Sequence, residues 1–508
     1  MRGVWTTEQV KAAEDQLLAR TPASALMRRA AFGVATHAAS MLRSRTGRVA
    51  GRRVVLLVGA GNNGGDALWA GYFLRRRSVA VTALLLSPDK AHPEGLAALR
   101  RAGGRIFPVS ADAPVSADAS ASTGASASAG AGAFAALRGA DLVIDGIVGL
   151  SARGPLRSAA AELVQAVEAP ILAVDLPSGV DPNTGATRGP AVRADVTVTF
   201  GALKPVHVLS EGAVRSGTVY LVDIGLGPWL DEPSLVVLER SDVGTAWRVP
   251  GPDDDKYSQG VTGVAAGSAT YPGAAVLSCG AAVLATSGMV RYAGWAADEV
   301  RARWPEVVAT GSVEDAGRVQ AWIVGPGLGT GQAGRDVLAH VLADGVPTCV
   351  DADGITLLAA DPSLWDRREP DAPVVVTPHD REFARIAEPL GIKLGDDRPA
   401  AARALARRLD CIVLLKGHTT VVADPGGRVL VNPASSAWLA TAGSGDVLSG
   451  LIGAMLATEL DPWLAVGCAA WVHERAGDLA AADAPAPASA ILQSIPAAIR
   501  SARAARNP

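Results

Sequence analysis

Residues 54–66 read VVLLVGAGNNGGD and carry the clearest fold signal of the chain. An apolar run of strand length leads into a glycine-rich turn, and a helical pattern begins near Leu68. Comparable strand, loop and helix segments recur along the chain. Because alternating strands and helices build parallel sheets covered on both faces, the sequence predicts an α/β fold.

The predicted strands fall into two groups. They lie at residues 53–58, 79–86, 141–144, 171–174 and 196–200 in the first half, and at 261–266, 321–324, 347–350, 374–376 and 412–415 in the second. A helical segment is expected from Thr7 to about Met41, with Thr6 or Thr7 as its cap.

The chain is expected to form two domains. A length of 508 residues exceeds one ordinary core. The first alternation ends near residues 225–243, which predicts two different three-layer α/β domains in tandem, at residues 1–228 and 238–508. Residues 110–133 are almost entirely Ala, Ser and Gly, so we expect a flexible surface insertion there.

The composition excludes several classes of protein. A net charge of −3 gives no electrostatic case for binding nucleic acid or an anionic membrane. No apolar run reaches the ~20 residues that cross a bilayer, and residues 1–8 lack an apolar signal core. The isolated cysteines are expected to be buried, reduced thiols of a cytoplasmic protein; they are Cys279, Cys349, Cys411 and Cys468.

The glycines at 59, 61 and 64 match the dinucleotide-binding fingerprint only weakly. The acid that normally ends the next strand is missing, since Ser87 and Pro88 follow it. A Walker-type lysine is missing as well. The missing acid counts against a Rossmann oxidoreductase.

Polar residues end other predicted strands of the first half. Asp145 ends one strand, Asp175 ends the next, and Ser178 follows shortly afterwards. The carboxyl ends of parallel strands share one crevice, where such folds bind ligands. Asn63, Asp145 and Ser178 would offer oxygen ligands to a hard cation, whereas the alternative for each aspartate is a simple helix cap.

The strongest catalytic signal of the second half is ATAGSGDV, residues 440–447. It precedes a predicted helix from Val447, and the free N–H groups of a helix N-terminus bind phosphate. Asp446 is therefore placed to take a proton from a hydroxyl group that is being phosphorylated. The alternative is an ordinary glycine-rich helix start, in which the aspartate only favours the helix dipole.

Other strand ends of the second half carry glycines or titratable side chains. These are GPGLG at 325–329, Asp351 with Asp353, His379, and KGHTT at 416–420. The GPGLG segment is expected to be a stiff, exposed backbone loop. Convergence of these segments with Asp446 would form a crevice for phosphoryl transfer.

The first half resembles the NAD(P)H-hydrate epimerase domain, a Rossmann-like domain, at residues 61–66, 145–149 and 174–180. That family interconverts the R and S forms of hydrated NADH and NADPH, called NADHX and NADPHX. The resemblance implies substrate contacts from Asn62, Asn63, Gly64, Gly65, Asp66, Gly149, Leu150, Ser151, Ala152, Arg153, Gly154, Pro155 and Asp175. It also implies a potassium ion (K⁺) on Asn63, Asp145 and Ser178, and it makes Asp175 the candidate catalytic carboxylate.

The second half, from about residue 255 to 492, resembles the ribokinase-like ADP/ATP-dependent NAD(P)H-hydrate dehydratase. A glycine-rich segment at 267–275 adds to the motifs above. The resemblance implies that the hydrated dinucleotide contacts Ala274, Gly327, His379 and Asp446. It implies that the adenine nucleotide lies on Lys416, Gly417, His418, Thr419, Thr420 and Gly445.

Together the two resemblances imply a bifunctional repair enzyme. ADP would phosphorylate the hydrate with Mg²⁺ on the phosphates and Asp446 as catalytic base, and loss of phosphate would regenerate NAD(P)H. The expected partners are the small molecules NADHX and NADPHX, without nucleic acid or membrane, and a homo-oligomer is expected.

Two alternatives stay open. A ribokinase-like small-molecule kinase would share Gly445 and Asp446, and its N-terminal domain would be a non-catalytic nucleotide-binding accessory. In the second alternative, the N-terminal domain is a nucleotide-sensing or protein-binding module without turnover. The departures from the epimerase pattern at Ala67 and at the pair Leu150-Ser151 keep this alternative open.

Overall fold

The computed structural model describes residues 1–109, 125–151, 154–286 and 288–504. The chain divides into two compact units. The N-terminal unit is Gly3–Ser234, and the C-terminal unit is Leu235–Pro508 together with Met1–Arg2. The division lies within the segment where the sequence places the change of domain.

The N-terminal unit alternates strands and helices. The chain begins with β1 (Arg2–Val4), and the strands that follow are β2 (Arg53–Val58), β3 (Ala80–Leu85), β4 (Arg105–Pro108), β5 (Leu142–Gly146), β6 (Ile171–Val174), β7 (Val196–Phe200) and β8 (Thr218–Val222). The helices are α1 (Thr7–Leu18), α2 (Ala23–Thr46), α3 (Asn62–Arg75), α4 (Pro93–Arg101), α5 (Ala125–Arg138), α6 (Ser158–Gln165) and α7 (Ser210–Ser216). Short 3-10 helices lie at Pro88–Lys90, Pro205–His207 and Gly227–Trp229.

The sheet of this unit is parallel throughout its described strands, in the order β4-β3-β2-β5-β6-β7-β8. The order reverses between β2 and β5, which is where such sheets open a ligand crevice. Alternate residues of β2 enter different apolar clusters: Leu56 packs on one face and Leu57 on the other. The sheet is therefore covered on both faces, as predicted.

Local signals explain where the elements begin. Thr6 caps α1 through a capping box with Gln9, as expected. The predicted single opening helix is instead two, because the chain turns at residues 19–22 and α2 starts after Pro22. Residues 110–124 of the predicted insertion lie outside the described residues, and α5 takes in its last part.

The C-terminal unit has the longer list of elements. Its strands are β9 (Leu235–Val237), β10 (Val261–Ala265), β11 (Met289–Ala293), β12 (Val308–Thr310), β13 (Ala321–Val324), β14 (Thr348–Val350), β15 (Val374–Val376), β16 (Ile412–Leu415), β17 (Thr419–Ala423) and β18 (Val429–Pro433). Its helices are α8 (Arg240–Ala246), α9 (Pro272–Ala285), α10 (Ala297–Arg303), α11 (Gln332–Ala343), α12 (Asp353–Ala360), α13 (Asp380–Ala387), α14 (Arg398–Leu409), α15 (Ser444–Leu456), α16 (Pro462–Ala481) and α17 (Ala488–Ala504), with 3-10 helices at Pro362–Arg367 and Glu388–Leu390.

The strands of this unit run β9-β18-β17-β16-β15-β14-β13-β10-β11-β12. Neighbours from β16 to β12 pair in parallel, whereas β17 is antiparallel to both β16 and β18. The loops after β13, β14, β15 and β16 therefore meet at one edge of the sheet. The described part of the chain contains no helix with the length and apolar character needed to cross a membrane.

The four cysteines are free and buried, as the sequence predicts. Burial raises the pKa of each of their thiols.

Candidate functional site

A cavity of about 810 Å³ lies at the carboxyl ends of the N-terminal strands. It brings together these residues of the predicted substrate site: Asn62, Asn63, Asp66, Gly149, Leu150, Ser151, Gly154, Pro155 and Asp175. Gly64 and Gly65 do not line it; they pack against Gly59 and His92 instead. Ala152 and Arg153 lie outside the described residues.

The amide-rich segment forms the first turn of α3 and not a loop before it. Gly61 ends the turn after β2 with a φ of 93°, which glycine adopts without strain. The helix then begins at Asn62, so its free N–H groups open toward the cavity. A helix start beside a cavity suits a phosphate-bearing ligand.

Asn63, Asp145 and Ser178 meet around the backbone of Val148. The amide of Asn63 donates to the carbonyl groups of Val148 and Val174, each at 2.8 Å. The Ser178 hydroxyl donates to Asp145 Oδ1 at 2.7 Å and accepts from the N–H of Val148 at 3.2 Å. Carboxylate, hydroxyl and amide oxygens form an all-oxygen set, which is the kind that hard cations take.

Asp145 is fully buried. Burial raises its pKa to about 6, although hydrogen bonds from Ser178 and from the N–H of Ile147 act in the opposite direction. A cation at this position would favour the ionised carboxylate.

Asp175 forms a buried ion pair that the sequence analysis missed. Its Oδ1 lies 2.7 Å from Lys204 Nζ and accepts from the Thr199 hydroxyl at 2.9 Å. Burial alone would raise the pKa of Asp175, but the Lys204 ammonium and these hydrogen bonds outweigh it and hold the pKa below its usual value. Asp175 is therefore an ionised carboxylate inside the cavity.

The backbone around Asp175 is held as firmly as its side chain. Its φ of 66° is uncommon for a residue other than glycine. His207 Nδ1 accepts the N–H of Lys204 at 3.0 Å, so His207 Nε2 donates to the Asp175 carbonyl at 2.8 Å. The strained turn fixes the direction of the carboxylate.

In the C-terminal unit, α15 begins at Ser444, three residues before the predicted start at Val447. Gly443 precedes it with a φ of 85°. Asp446 thus lies in the first turn of the helix and is half-buried. Burial and the nearby charge of Asp351 raise the pKa of Asp446 to about 6, so it is ionised at neutral pH.

Asp351 forms hydrogen bonds with residues that follow β15 and β16 and with a residue of α15. Its Oδ1 accepts from the Thr377 hydroxyl and from Lys416 Nζ, each at 2.7 Å, and its Oδ2 accepts from the Ser449 hydroxyl at 2.8 Å. Burial would raise the pKa of Asp351, but Lys416 and these hydrogen bonds lower it. A Cβ on Gly445 would lie 3.7 Å from Lys416 Nζ, so the helix start and the ion pair are adjacent.

Residues 416–418 form the turn between β16 and β17, and Thr419 and Thr420 begin β17. Gly417 and His418 are exposed there. The ammonium group of Lys416 remains charged, because attraction from Asp351 and Glu382 outweighs burial and raises its pKa.

The GPGLG segment is not an exposed loop, contrary to the prediction. Gly325 and Pro326 are buried, because the Gly325 backbone packs against Asp351: a Cβ there would lie 2.0 Å from the Asp351 carbonyl oxygen. Gly327 lies against Tyr271 and Ala274, so two of the predicted substrate contacts are neighbours.

His379 caps α13. Its Nδ1 accepts the N–H groups of Arg381 and Glu382 at 3.1 and 3.4 Å, and Glu382 accepts the N–H of His379. Its side chain remains 52% exposed at the same edge of the sheet. A second histidine, His473, was missed; its buried Nε2 lies 3.2 Å from the Ser444 hydroxyl at the start of α15.

The described residues contain no cluster of three or more His, Cys, Asp or Glu side chains suited to a metal ion. Magnesium bound mainly through nucleotide phosphates does not need such a cluster.

Two family descriptions match the chain. Residues 23–206 match the family described as YjeF-related protein N-terminus, and residues 262–497 match the family described as NAD(P)H-hydrate dehydratase. A solved structure of the ADP/ATP-dependent NAD(P)H-hydrate dehydratase from Bacillus subtilis, co-crystallized with ATP/Mg²⁺, is 25% identical, covers 53% of this chain and 99% of that chain, and has a TM-score of 0.47.

Curated relatives align with nearly the whole chain. The protein named bifunctional NAD(P)H-hydrate repair enzyme Nnr from Mycobacterium tuberculosis is 54% identical over 91% of this chain and 90% of its own length. Its namesake from Mycobacterium leprae is 51% identical over 96% of both chains, and that from Escherichia coli is 31% identical over 85% of this chain and 81% of its own. The chain therefore belongs to the family of bifunctional NAD(P)H-hydrate repair enzymes.

Proposed function

We propose that the protein repairs hydrated NADH and NADPH. Its N-terminal unit interconverts the R and S epimers, and its C-terminal unit dehydrates the S epimer with ADP to give NAD(P)H, AMP and phosphate. Family membership supports both activities. The observation that carries the dehydration is the half-buried Asp446 in the first turn of α15, beside the Asp351–Lys416 ion pair.

The dehydration follows from leaving-group chemistry. Hydroxide leaves the nicotinamide hydrate poorly, whereas phosphate leaves readily and the ring nitrogen supplies the electron pair that expels it. Asp446 takes the hydroxyl proton as the phosphoryl group arrives, and N–H groups at the start of α15 stabilise the transferred charge. A pKa of about 6 suits a base that works near neutral pH.

Lys416 and Gly445 are the proposed nucleotide-binding residues. The Lys416 ammonium lies beside the start of α15, where positive charge and free N–H groups favour phosphate. Mg²⁺ would be held mainly by the phosphates and would neutralise their charge. Ala274, Gly327 and His379 would contact the hydrate at the same edge of the sheet.

Epimerisation is assigned to the cavity of the N-terminal unit. Inverting the hydroxyl-bearing carbon requires the hydrate ring to open and close again, or a proton to exchange. Asp175 is the proposed base, because Lys204 keeps it ionised and its backbone fixes its position.

A potassium ion fits the oxygen set of Asn63, Asp145 and Ser178, where it would order the turn that carries Asp175. Asn63→Ala should therefore abolish epimerisation and leave dehydration of the S epimer unchanged. Wild-type epimerisation should rise when K⁺ replaces Na⁺ in the assay buffer. Epimerisation that is indifferent to K⁺ would argue against the cation.

The test mixes the purified protein with racemic NADH hydrate, Mg²⁺ and either ADP or ATP, and follows near-UV dihydronicotinamide absorbance. Complete recovery of NADH, with AMP and phosphate from ADP, is the expected result. Recovery that stops at half would mean an inactive N-terminal site. A stable phosphorylated product would favour the kinase alternative, and no recovery with either nucleotide would overturn the dehydratase.

A further inference from the structure

The cavity of the N-terminal unit contains a carboxyl group to which the proposed reaction gives no chemical role. Asp66 lies in the first turn of α3 and lines the cavity. Asp66 is 6% exposed, and its Oδ1 is buried without a hydrogen-bond partner among the described residues. Because leaving a buried polar atom unpaired is unfavourable, its position suits a group that pairs with a ligand.

The surroundings of Asp66 favour its neutral form. Burial raises its pKa well above the usual range, and the charges of Asp175 and Glu14 act in the same direction. Glu14 lies on α1, and burial raises its pKa as well, with the Lys204 ammonium acting against the increase. The other titratable groups that line the cavity are Lys11 and Asp15 on α1 and Arg157 just before α6, and His92 caps α4 next to Gly65.

Two carboxyl groups of opposite character thus line one cavity. Asp175 is ionised through its ion pair with Lys204, whereas Asp66 has no such partner among the described residues. Carboxyl groups whose environments separate their proton affinities in this way serve as the acid and the base of one reaction.

We propose that Asp66 is a catalytic residue of the N-terminal site, where it donates a proton to the ring nitrogen N1 when the hydrate ring opens. The inference rests on the proposed epimerisation and adds the acid that complements Asp175.

The proton transfers balance over a full cycle. The Asp175 carboxylate removes the proton of the C6 hydroxyl group, the C6–N1 bond breaks with its electron pair on N1, and Asp66 protonates N1. The product is an aldehyde joined to an enamine, and rotation about the C5–C6 bond presents the other aldehyde face. N1 then attacks that face, Asp66 takes back the N1 proton, and Asp175 returns its proton to the oxygen. Both carboxyl groups regain their starting states without any oxidant or further reactant.

The test uses the full chain without nucleotide, so that dehydration is silent, and follows the R epimer turning into the S epimer by chromatography. Asp66→Asn keeps the shape and removes the proton. It should lower kcat by roughly 10²–10⁴-fold and leave KM within about threefold. The matched control Asp89→Asn, at an exposed position outside the cavity, should stay within about twofold of wild type. A variant that keeps more than about a tenth of the wild-type kcat, or that changes only KM, would reduce Asp66 to a binding group and overturn the proposal.

A second measurement does not depend on the variant folding. The wild-type kcat for epimerisation should fall on the alkaline side as Asp66 loses its proton, whereas dehydration by the same chain should show no such fall. An epimerisation profile that stays flat into alkaline pH would overturn the role of Asp66. Failure of the wild-type protein to interconvert the epimers would overturn the epimerisation itself, and the assignment of Asp66 with it.

Discussion

Asp446 and Asp351 lie in one site, but their environments move their pKa values in opposite directions. Lys416 is in direct contact with Asp351 and lowers its pKa, whereas burial and, to a smaller extent, the negative charge of Asp351 raise the pKa of Asp446. The base form of Asp446 is populated above its pKa of about 6. The rate of dehydration should therefore rise with pH through that value and level off near neutrality, as kcat/KM measured across pH would show.

Removing the base should separate the two activities. Asp446→Asn should lower dehydration by roughly 10²–10⁴-fold. Epimerisation measured without nucleotide should remain at the wild-type rate, because Asp446 belongs to the other unit. The control Asp371→Asn, at an exposed position, should leave both rates unchanged. Wild-type dehydration in the Asp446 variant would refute its role as base.

The ion pair of Asp175 with Lys204 should matter for stability. Lys204→Met leaves a buried carboxylate unpaired, which should lower the free energy of unfolding by roughly 3–5 kcal/mol in urea at neutral pH. The folded-state pKa of Asp175 is lowered, so its contribution is present above the unfolded pKa and is lost as the pH falls through the folded value. The deficit of the variant should therefore shrink in acid. Lys90→Met, at an exposed position, is the control, and equal unfolding curves for the two variants would contradict the expectation.

Single residues differ in how far the sequence reveals them. Asn63, Asp145 and Asp446 are candidates from the sequence because each ends a strand or opens a helix within a recognisable segment, and their roles stay predictions. Lys204 and Glu14 were missed because they reach the site only through folding: Lys204 is 29 positions from Asp175 along the chain. The sequence analysis missed these residues because they are far from their partners along the chain, and not because of their chemical type.

Among the elements, the GPGLG turn packs so closely against the turn after β14 that a side chain at Gly325 should disturb the packing. A Cβ on Gly325 would lie 2.0 Å from the Asp351 carbonyl oxygen, and its φ is 118°. Gly325→Ala should therefore displace Asp351, abolish dehydration and lower stability by at least about 1–3 kcal/mol. Gly311→Ala is the control, because a Cβ there meets nothing within 4 Å, and its effect should stay within about 0.5 kcal/mol. Thermal melting and dehydration assays compare the two, and equal behaviour would contradict the packing argument.

The elements also show what a pattern of residues can predict. Buried central strands such as β2, β6 and β13 have the predicted bounds, because each is a continuous apolar run between turn residues. The edge strands β4 and β8 were missed: both are partly exposed, and the apolar run of β4 is only two residues long. The hairpin of β17 and β18 was missed because its first threonines were interpreted as a nucleotide-binding loop.

At the scale of the whole molecule, each site lies within its own compact unit, so the two activities should complement each other between chains. In the time that the wild-type protein needs for complete recovery, Asn63→Ala alone should recover half of a racemic hydrate as NADH, and Asp446→Asn alone should recover almost none. An equal mixture of the two variants should recover all of it, because the epimers diffuse freely from one chain to the other. After correction for spontaneous epimerisation, recovery that stops at half would show that both sites must be in one chain.

The positions of the cysteines allow the unfolding of one unit to be followed separately. All four cysteines fall between residues 235 and 508, and each thiol is buried with a raised pKa, so neither access nor ionisation permits rapid alkylation of the folded protein. Residues 3–234 contain no thiol. Alkylation under increasing denaturant therefore times the opening of the C-terminal unit alone, whereas circular dichroism records the whole chain. A difference in denaturant concentration between the alkylation curve and the circular dichroism curve would therefore report separate unfolding of the N-terminal unit. The natural cysteines thus distinguish the unfolding of the two units without a tag or a mutation.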